Sequence, residues 1–315
     1  LLQTGVAFKA IGAIDRMMPM LRFFRLGPTH FSRFNGLGHM PTETLAALMV
    51  HDDIYGKPIS LAEQSGYCRL ESNATVVMAD TGRPPTVTLS HEAHAGCLSF
   101  EMHTGQHPLI VNCGVPLREL PEWRTVARAT AAHSTLCVCD TSSGQLMGGS
   151  AFGSTEESAT LSGPVNVPAG LTTKADSTER RASHGGYDPR FGITHVRRLR
   201  LGSNGERLVG TDQLVAPHGL KGVARDNGGR FAIRFHLHPA TRAELSGDGR
   251  SVLIGLPDHD GWRLDIDNGN VDIEESVFLP DVKGPRRSLQ IVVAGTMASA
   301  SEYQVSWTLK RVSQP

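Results

Sequence analysis

The sequence predicts a mainly β protein, a large antiparallel β-sandwich preceded by a short α-helical segment. Three observations favour this fold class. From about residue 59 onwards, short runs rich in valine, isoleucine, threonine and leucine alternate with glycine, asparagine, aspartate and proline. No long helical periodicity separates these runs, a pattern typical of a sandwich. Before residue 59, apolar residues instead recur at the spacing of an amphipathic helix.

The helical segment is expected over residues 1–58. Residues 6–26 carry apolar side chains on one helical face with charged residues between them, and Gly27-Pro28 ends the pattern. A second helix is expected at Thr42–His51, with its first residue as the N-cap. No apolar stretch of the sequence approaches the roughly 20 residues that span a bilayer. The chain begins without a methionine, and we expect it to be the later part of a longer protein.

The sandwich is expected to occupy residues 59–315. Its strands are predicted at 74–79, 98–103, 108–113, 134–139, 194–201, 208–215, 230–237, 251–256, 271–279, 288–294 and 303–312. Residues 141–182 are rich in serine, threonine, glycine and alanine, and we expect a long surface excursion there.

One predicted hairpin can be built in detail from its turn. Gly105-Gln106 suits a two-residue type II′ turn, because glycine at the first position accepts a positive φ. The turn predicts three apolar pairs on one face, Leu98 with Cys113, Phe100 with Val111 and Met102 with Leu109. Ser99, Glu101 and Asn112 then share the other face. A slip of one residue would exchange the two faces, so the pattern supports this register.

Composition excludes several classes of function. The 31 basic and 31 acidic residues give a formal charge of zero, with 14 histidines left uncounted. This balance is unlike the basic footprint of a protein that binds nucleic acid. The five cysteines show no Cys-x-x-Cys spacing, so neither a disulfide framework nor a four-thiolate zinc site is expected.

Residues able to bind a metal or move a proton concentrate in one part of the chain. His91, Glu92 and His94 fall within four positions ahead of a predicted strand, and Asn112 and His133 follow on later strands. Imidazoles and carboxylates are the side chains that most often bind transition metals and transfer protons. The sequence therefore places its candidate functional site here.

Metal binding is one interpretation of this cluster. The neutral imidazoles of His94 and His133 are good nitrogen donors, and Asn112 is a weaker third ligand for which Glu92 or Asp140 can substitute. The alternative is that the two histidines belong to a structural network of hydrogen bonds between strands. Spacing alone leaves both interpretations open.

An ordered set of motifs carries a family resemblance. The motifs are Ala-His-Ala-Gly-Cys-Leu-Ser-Phe (93–100), Pro-Leu-Ile-Val-Asn-Cys-Gly (108–114), Arg-Ala-Thr-Ala-Ala-His-Ser-Thr-Leu (128–136), His-Gly-Gly-Tyr-Asp (184–188), Arg-Phe-His-Leu-His-Pro (234–239) and Gly-Pro-Arg-Arg-Ser-Leu-Gln-Ile (284–291). Over about residues 30–315 the chain resembles the C-terminal domain of the heparinase II/III-like polysaccharide lyases.

The resemblance implies a fold, an activity and a partner. Residues 1–58 would be the last helices of the family's (α/α) toroid, and the reaction would be β-elimination on uronic-acid-containing glycans. A base removes the proton α to the uronate carboxyl, and an acid protonates the leaving oxygen. The resemblance also implies an acidic polysaccharide as partner, a zinc cofactor, a homodimer and a cell-envelope location.

The resemblance assigns metal-binding positions. In the family, a pattern close to His-x-His-x-Asp-x-Leu-Ser-Phe supplies a catalytic histidine beside a zinc ion. Aligned on its last three residues, His94 takes the metal-binding histidine, and His133 matches another ligand histidine. Asn112 stands where the family has a metal-binding aspartate, which removes one negative charge from the zinc site.

The catalytic positions depart further from the pattern. Glu92 falls where the catalytic histidine is expected, and Gly96 falls where the pattern has aspartate. A glutamate acts as a base near neutral pH only if its pKa is raised, and it would repel a uronate. His91, one residue earlier, can take over this role if the backbone shifts. The resemblance therefore makes Glu92 and His91 the candidate catalytic residues.

Three functions follow as hypotheses. The first is a polysaccharide lyase in which His184, Tyr187, Arg234 and His236 line the path of the sugar chain. The second is a catalytically degenerate sandwich that binds glycans or serves as a scaffold, as the three altered positions suggest. The third is a hydrolase that uses paired carboxylates such as Glu92 and Glu101.

Overall fold

The computed structural model describes residues 12–13, 16–28, 30–37, 43, 58–116, 120–148, 159–281, 283–298 and 300–312. Within these ranges the protein is mainly β and antiparallel, and the predicted fold class is confirmed. Residues 16–24 are helical, and three short helices follow: α1 (Pro121–Ala127), α2 (Asp188–Phe191) and α3 (Gly222–Asp226). Among the described residues, none of the helices has both the length and the apolar character of a membrane span.

The strands are short in the first half of the chain and longer in the second half. The first ten are β1 (Arg25–Gly27), β2 (His30–Phe31), β3 (Leu61–Ala62), β4 (Tyr67–Ser72), β5 (Thr75–Asp80), β6 (Phe100–Thr104), β7 (His107–Val111), β8 (Leu136–Val138), β9 (Gln145–Met147) and β10 (Thr160–Ser162). The others are β11 (Ala169–Thr173), β12 (Ser177–Tyr187), β13 (Ile193–Gly202), β14 (Arg207–Val215), β15 (Arg230–Leu237), β16 (Arg242–Leu245), β17 (Ser251–Gly255), β18 (Gly261–Ile266), β19 (Asn270–Phe278), β20 (Arg286–Thr296) and β21 (Glu302–Val312).

Two large sheets form the sandwich. Sheet I has nine strands in the order β19-β20-β15-β7-β6-β5-β4-β3, with β8 paired to β15. Sheet II has eight strands in the order β11-β12-β13-β14-β21-β18-β17-β16. The small sheets β1-β2 and β9-β10 lie outside these two.

The hydrophobic core lies between the two sheets. Phe100 and Phe235 of sheet I and Trp307 of sheet II are fully buried there. Phe100 stacks on Trp307 with ring centroids 5.5 Å apart, and Phe235 meets the same indole edge-on at 5.0 Å. Gly210, the cross-strand partner of Trp307, leaves room for the indole, because a Cβ there would lie 2.0 Å from it. Such aromatic pairs add about 0.5–1.5 kcal/mol to the free energy of area burial.

A buried polar cluster also joins the sheets, and we call it the Arg197 clamp. Asp212 accepts hydrogen bonds from His195 Nε2 at 2.7 Å, Arg197 Nε at 2.8 Å and Trp307 Nε1 at 2.9 Å. Nη1 of the same arginine donates to the carbonyl oxygens of Leu98 and Ser134, both at 2.8 Å. Burial alone would raise the pKa of Asp212, but Arg197 and His195 outweigh it and hold that pKa below its usual value.

The predicted hairpin is correct at its turn and wrong beyond it. Thr104 pairs with His107, so Gly105-Gln106 form the two-residue turn, and Gly105 has a φ of 56°. A bulge follows, and Met102 pairs with Ile110 instead of Leu109. The three predicted cross-strand pairs beyond the turn therefore do not form. The bulge lets the Glu101 carboxylate accept a hydrogen bond from the Asn112 N–H at 2.9 Å. The apolar pattern of the sequence does not reveal this hydrogen bond.

The other predicted elements differ in outcome. All eleven predicted strand segments contain strands. The other ten described strands were not predicted, namely β1, β2, β3, β4, β9, β10, β11, β12, β16 and β18. Residues 141–182 are not a plain surface excursion, because the described part holds β9, β10, β11 and the start of β12. The helix predicted at 6–26 is confirmed over 16–24, but residues 25–26 belong to β1. Residues 6–11 and nearly all of Thr42–His51 lie outside the described residues.

The β1-β2 hairpin packs on sheet I through a group of histidines. His103 is fully buried, and neither of its ring nitrogens has a hydrogen-bond partner in the described part of the chain. Gly27 covers this ring so closely that a Cβ would lie 2.3 Å from it. The His30 ring lies 5.3 Å from His103 and 6.3 Å from His238. Burial is the largest cause that lowers the pKa of these three histidines to between about 3 and about 4.

Candidate functional site

His94 and His133 form a closed pair of imidazoles. His94 Nδ1 lies 3.1 Å from His133 Nε2, and His133 Nδ1 lies 2.8 Å from the carbonyl oxygen of Ala129. Because a carbonyl only accepts, His133 carries its proton on Nδ1, and His94 Nδ1–H donates to His133 Nε2. Burial lowers the pKa of His133 to about 4 and holds that of His94 well below its usual value. Both rings are therefore neutral near pH 7.

Arg128 fixes the loop that carries His94. Its guanidinium donates to three backbone carbonyls, those of Ser90, Ala93 and Ala159, at distances of 2.7–2.9 Å. Its own carbonyl accepts the N–H of Ala95 at 2.9 Å. The side chain is buried, so its hydrogen bonds are shielded from water and hold the loop in one conformation. Arg128 thereby positions the His94–His133 pair.

Gly96 lies against the face of the His133 ring. A Cβ at this position would lie 2.6 Å from His133 Cδ2 and 3.0 Å from Nε2. Any side chain at residue 96 would therefore have to displace the imidazole. A glycine at residue 96 is thus a packing requirement of His133.

Asn112 is linked to the pair through Ser134, the residue that follows His133. Asn112 Oδ1 accepts the N–H of Ser134 at 2.9 Å, while Nδ2 is buried with no partner in the described residues. Glu101, which is 1 % exposed, accepts the backbone N–H groups of Asn112 and Arg33, both at 2.9 Å. Burial raises the pKa of Glu101, and the nearby Arg33 lowers it in part. The Asn112 oxygen is thus already engaged.

The two candidate catalytic residues lie at the surface. His91 is exposed, and the Glu92 side chain is 61 % exposed. One oxygen of Glu92 forms an ion pair with Arg124 of α1. Gly36 packs against the same side chain, since a Cβ there would lie 2.7 Å from Glu92 Cβ. Glu92 and Glu101 therefore lie in different environments, one in solvent and one buried.

Comparison with known proteins identifies the family. The heparinase II/III-like C-terminal family matches residues 55–308. The chain belongs to this family. FtsZ-localized protein C of Caulobacter vibrioides is 32 % identical over 311 residues, which are 95 % of this chain and 51 % of that protein.

Solved structures agree with this assignment at the level of the fold. The heparan sulfate lyase HepC from Pedobacter heparinus matches with a TM-score of 0.71 at 13 % identity, covering 96 % of this chain and 47 % of that one. A heparinase III gene product matches with a TM-score of 0.73 at 11 % identity, covering 97 % and 47 %. The chain thus spans about half the length of the relatives it matches. The assignment of residues 1–58 to the end of a toroid stays a prediction.

The zinc implied by the heparinase-like resemblance does not fit the donors that this chain presents. The ring nitrogens of His94 and His133 that face each other are joined by a hydrogen bond, and the Asn112 oxygen accepts one from the N–H of Ser134. Among the described residues, no three histidine, cysteine or acidic side chains are grouped so that they could hold a metal ion. A zinc site usually needs at least three such donors. Zinc binding therefore stays a prediction from the resemblance alone.

His184 and Tyr187 lie inside this heparinase-like sandwich. Each is 1 % exposed, and their ring centroids are 5.4 Å apart. Tyr187 donates its hydroxyl to the carbonyl of Leu136 at 2.7 Å, and His184 Nδ1 accepts the N–H of Gly186 at 3.1 Å. Both side chains would have to be uncovered before a sugar could touch them. Their role as substrate contacts stays a prediction.

His236 and Arg234 lie on β15 of sheet I. His236 Nε2 donates to the carbonyl of Ala131 at 2.9 Å, and Nδ1 accepts from Ser276 Oγ at 2.8 Å. The ring borders a cavity of about 360 Å³, and burial is the main cause that lowers its pKa to about 3. Nη1 of Arg234 is buried without a partner in the part of the chain described. Of the four residues predicted to contact the sugar chain, His236 thus borders this cavity.

The structure brings only some of the predicted site residues together. Ser134 links them, because its N–H donates to Asn112 Oδ1, its hydroxyl accepts the N–H of His236 at 2.9 Å, and it follows His133 directly. Sequence reasoning gave no role to Arg128, although this residue opens one of the recognised motifs. A buried arginine that donates hydrogen bonds to backbone carbonyls leaves no pattern in a sequence. No sequence feature therefore pointed to Arg128.

Proposed function

We propose that this chain is the sandwich part of a heparinase II/III-like protein that localises with FtsZ and binds an acidic glycan without cleaving it. The observation that carries the proposal is Glu92, which stands where the resemblance expects the catalytic histidine. Its carboxylate is exposed and ion-paired with Arg124. A carboxylate at this position would repel the uronate of a substrate, whereas a histidinium would attract it.

The chemistry of elimination sharpens this argument. A base must take the proton α to the uronate carboxyl, and positive charge must stabilise the anion that develops. His94 and His133 are neutral, with lowered pKa values, and they already bond to each other. Low pKa values make these rings weak bases, and neutral rings supply no positive charge. The His94–His133 pair therefore supplies neither the strong base nor the positive charge that elimination needs.

A polar cleft next to the pair supports glycan binding. It has a volume of about 800 Å³ and includes Ala129, whose carbonyl oxygen holds His133. Hydroxyl and carboxamide groups border it, and so does one exposed arginine: the lining includes Ser142, Ser143, Gln145, Asn166 and Arg190. Arg128 and Asp140 also line the cleft, so its hydrogen-bonding groups lie beside two cations and one carboxylate. This mixture suits a sugar chain that carries few charges per residue.

The location is proposed from a relative. FtsZ-localized protein C shares 32 % identity over 95 % of this chain, and its name states where that protein is found. We extend that location to this protein. The acidic glycan is proposed separately, from the family resemblance.

Elimination is the second candidate function, and one observation favours it. The tautomer of the His94–His133 pair leaves a lone pair on His94 Nε2, since its proton is on Nδ1. A lone pair on imidazole is the group that an elimination base requires. In this case a toroid would have to supply the remaining catalytic side chains, as the resemblance implies.

One experiment separates the two candidates. The full-length protein is incubated with alginate, polygalacturonate and heparan sulfate while ultraviolet absorbance reports unsaturated uronate, and binding is measured in parallel. Binding without a rise in absorbance supports the proposal, whereas a rise supports elimination and contradicts it. New reducing ends without unsaturation would support the hydrolase, and no binding to any polymer would reject glycan recognition.

A variant with histidine at residue 92 tests the proposal further. Glu92→His places an imidazole at the position where the resemblance expects one, and the ion pair with Arg124 is lost. If the chemistry fails only at this position, the variant gains absorbance that the wild type lacks. Glu122→His, which changes another acidic residue of the same surface region, should gain none.

A further inference from the structure

Strand β11 forms an open edge of sheet II. It pairs with β12 on one side, and no strand in the described residues pairs with its other side. Ala169, Gly170, Thr172 and Thr173 are exposed, while Leu171 packs against the core and fixes the strand in place. An exposed edge of this kind presents unpaired N–H and C=O groups to any strand that arrives.

A row of positive charge leads to this edge on the outer face of the sheet. Gly170 pairs with Arg181, and Arg181 pairs with Arg198, so the two arginines lie directly opposite each other. Both are exposed, and neither has an ion pair in the described part of the chain. Like charges in directly opposite positions destabilise a sheet. A negatively charged group bound at this row would therefore relieve the repulsion between the two arginines.

Gly170 leaves the approach to the row open. No atom lies within 4 Å of the place where its Cβ would be. A residue added opposite Gly170 would lie two strand spacings, about 10 Å, from Arg181. An extended arginine side chain and an acidic side chain can together bridge this separation across a glycine.

The neighbouring row has a different charge. Thr172 pairs with Glu179, and Glu179 pairs with Arg200. A side chain opposite Thr172 would therefore approach a carboxylate before it reached a guanidinium. The edge thus favours an acidic residue at one position and disfavours it two positions further along the added strand.

We propose that β11 binds an extended acidic peptide of a partner protein by β-augmentation, with one carboxylate at the Gly170–Arg181–Arg198 row. Backbone hydrogen bonds to the edge give affinity, and the arginine row gives specificity. The edge favours a peptide over a polysaccharide, because only a peptide backbone can match the alternating N–H and C=O groups of the strand. The proposal does not depend on glycan binding.

The test uses the full-length protein and a displayed library of random nine-residue peptides. Selected peptides should combine β-branched residues with one aspartate or glutamate, and hydrogen exchange should slow at the amides of β11 when such a peptide binds. Arg181→Glu should reduce the affinity of these peptides at least tenfold and restore binding when their acid is replaced by lysine. Arg207→Glu is the matched control, because it makes the same charge change on β14 of the same sheet, away from the edge.

Other outcomes overturn the proposal. They include selection of no peptide, selection without acidic residues, equal effects of Arg181→Glu and Arg207→Glu, and protection that appears away from β11. Loss of binding to heparan sulfate in Arg181→Glu, without any peptide binding, would assign the row to an anionic glycan. Thermal unfolding of each variant confirms that the fold is retained, as expected for exposed residues.

Discussion

His94 Nδ1 and His133 Nε2 lie 3.1 Å apart, and the pair is completed by the carbonyl oxygen of Ala129. This chain of hydrogen bonds gives both buried rings a partner, which is the condition for burying imidazoles at low cost. The pair therefore contributes to stability whatever its role in function.

The first prediction concerns this pair. His133→Ala removes the acceptor of His94 Nδ1–H and leaves a cavity, so the free energy of unfolding should fall by about 2–4 kcal/mol. Urea denaturation monitored by fluorescence measures the change. His91→Ala is the control, because this exposed histidine should alter stability by less than about 0.5 kcal/mol. A loss at residue 133 no larger than at residue 91 would contradict the pairing.

The second prediction concerns the contact between Gly96 and His133. Gly96→Ala should destabilise the protein by about 1–3 kcal/mol, since the new Cβ would overlap the imidazole. Gly170→Ala is a matched control with open space at its Cβ and should have little effect. In a His133→Ala background the cost of Gly96→Ala should largely disappear. A double-mutant cycle from urea unfolding checks this coupling, and simple additivity would reject it.

The third prediction concerns zinc. Because the pair is closed and the amide of Asn112 is engaged, the purified protein should contain well under one zinc per chain. Asn112→Asp adds the missing negative charge and should raise the zinc affinity at least tenfold. Elemental analysis and titration calorimetry measure both values. Stoichiometric zinc that is retained after dialysis of the wild type would show that the rings open to accept a metal.

The fourth prediction concerns acid sensitivity at the β1-β2 hairpin. The folded pKa of His103 is about 3, below its ordinary value of 6.5, so the unfolded chain binds a proton more readily. This contribution to stability is present above about pH 6.5 and is lost as the pH falls towards 3. For one such group the slope is about 1.4 kcal/mol per pH unit.

His103→Leu tests this sign. The variant should show a weaker dependence of the free energy of unfolding on pH between 6.5 and 4, by close to one proton. Denaturant midpoints at a series of pH values provide the measurement. His218→Leu, which makes the same substitution at an exposed histidine, is the matched control. A steeper slope in His103→Leu would mean that the ring is charged in the folded state.

Sequence patterns predicted the fold where residue alternation was clear and missed it where polar residues face the core. Strands β14 and β21 and the second half of β13 alternate buried with outward-facing residues, and the buried ones are apolar apart from Gly210 and Asp212, so the predicted bounds were close to those observed. Strand β12 was missed because it runs Ser-Thr-Glu-Arg-Arg-Ala-Ser-His-Gly-Gly-Tyr, and its inward positions include His184. That polar inward position is explained by the Arg197 clamp, because His184 pairs with His195 of the neighbouring strand β13.

The candidate site was predicted in part for a similar reason. The spacing placed His94 and His133 together, which the structure supports, because strand order brings their loops side by side. The same spacing could not show that Ser134 engages Asn112 Oδ1 or that Arg124 reaches Glu92. Those contacts depend on the orientation of loops, which the hydrophobic pattern does not encode.

The packing of Gly96 against His133 has a consequence for the side chain that residue 96 can carry. The aspartate that the resemblance expects at residue 96 cannot be accommodated while the imidazole occupies its present place, because the first new atom already overlaps the ring. Residue 133 would have to change or move first. Because the resemblance also matches His133 to a family histidine, residue 96 can carry the aspartate of that pattern only if the His133 ring first shifts to another position.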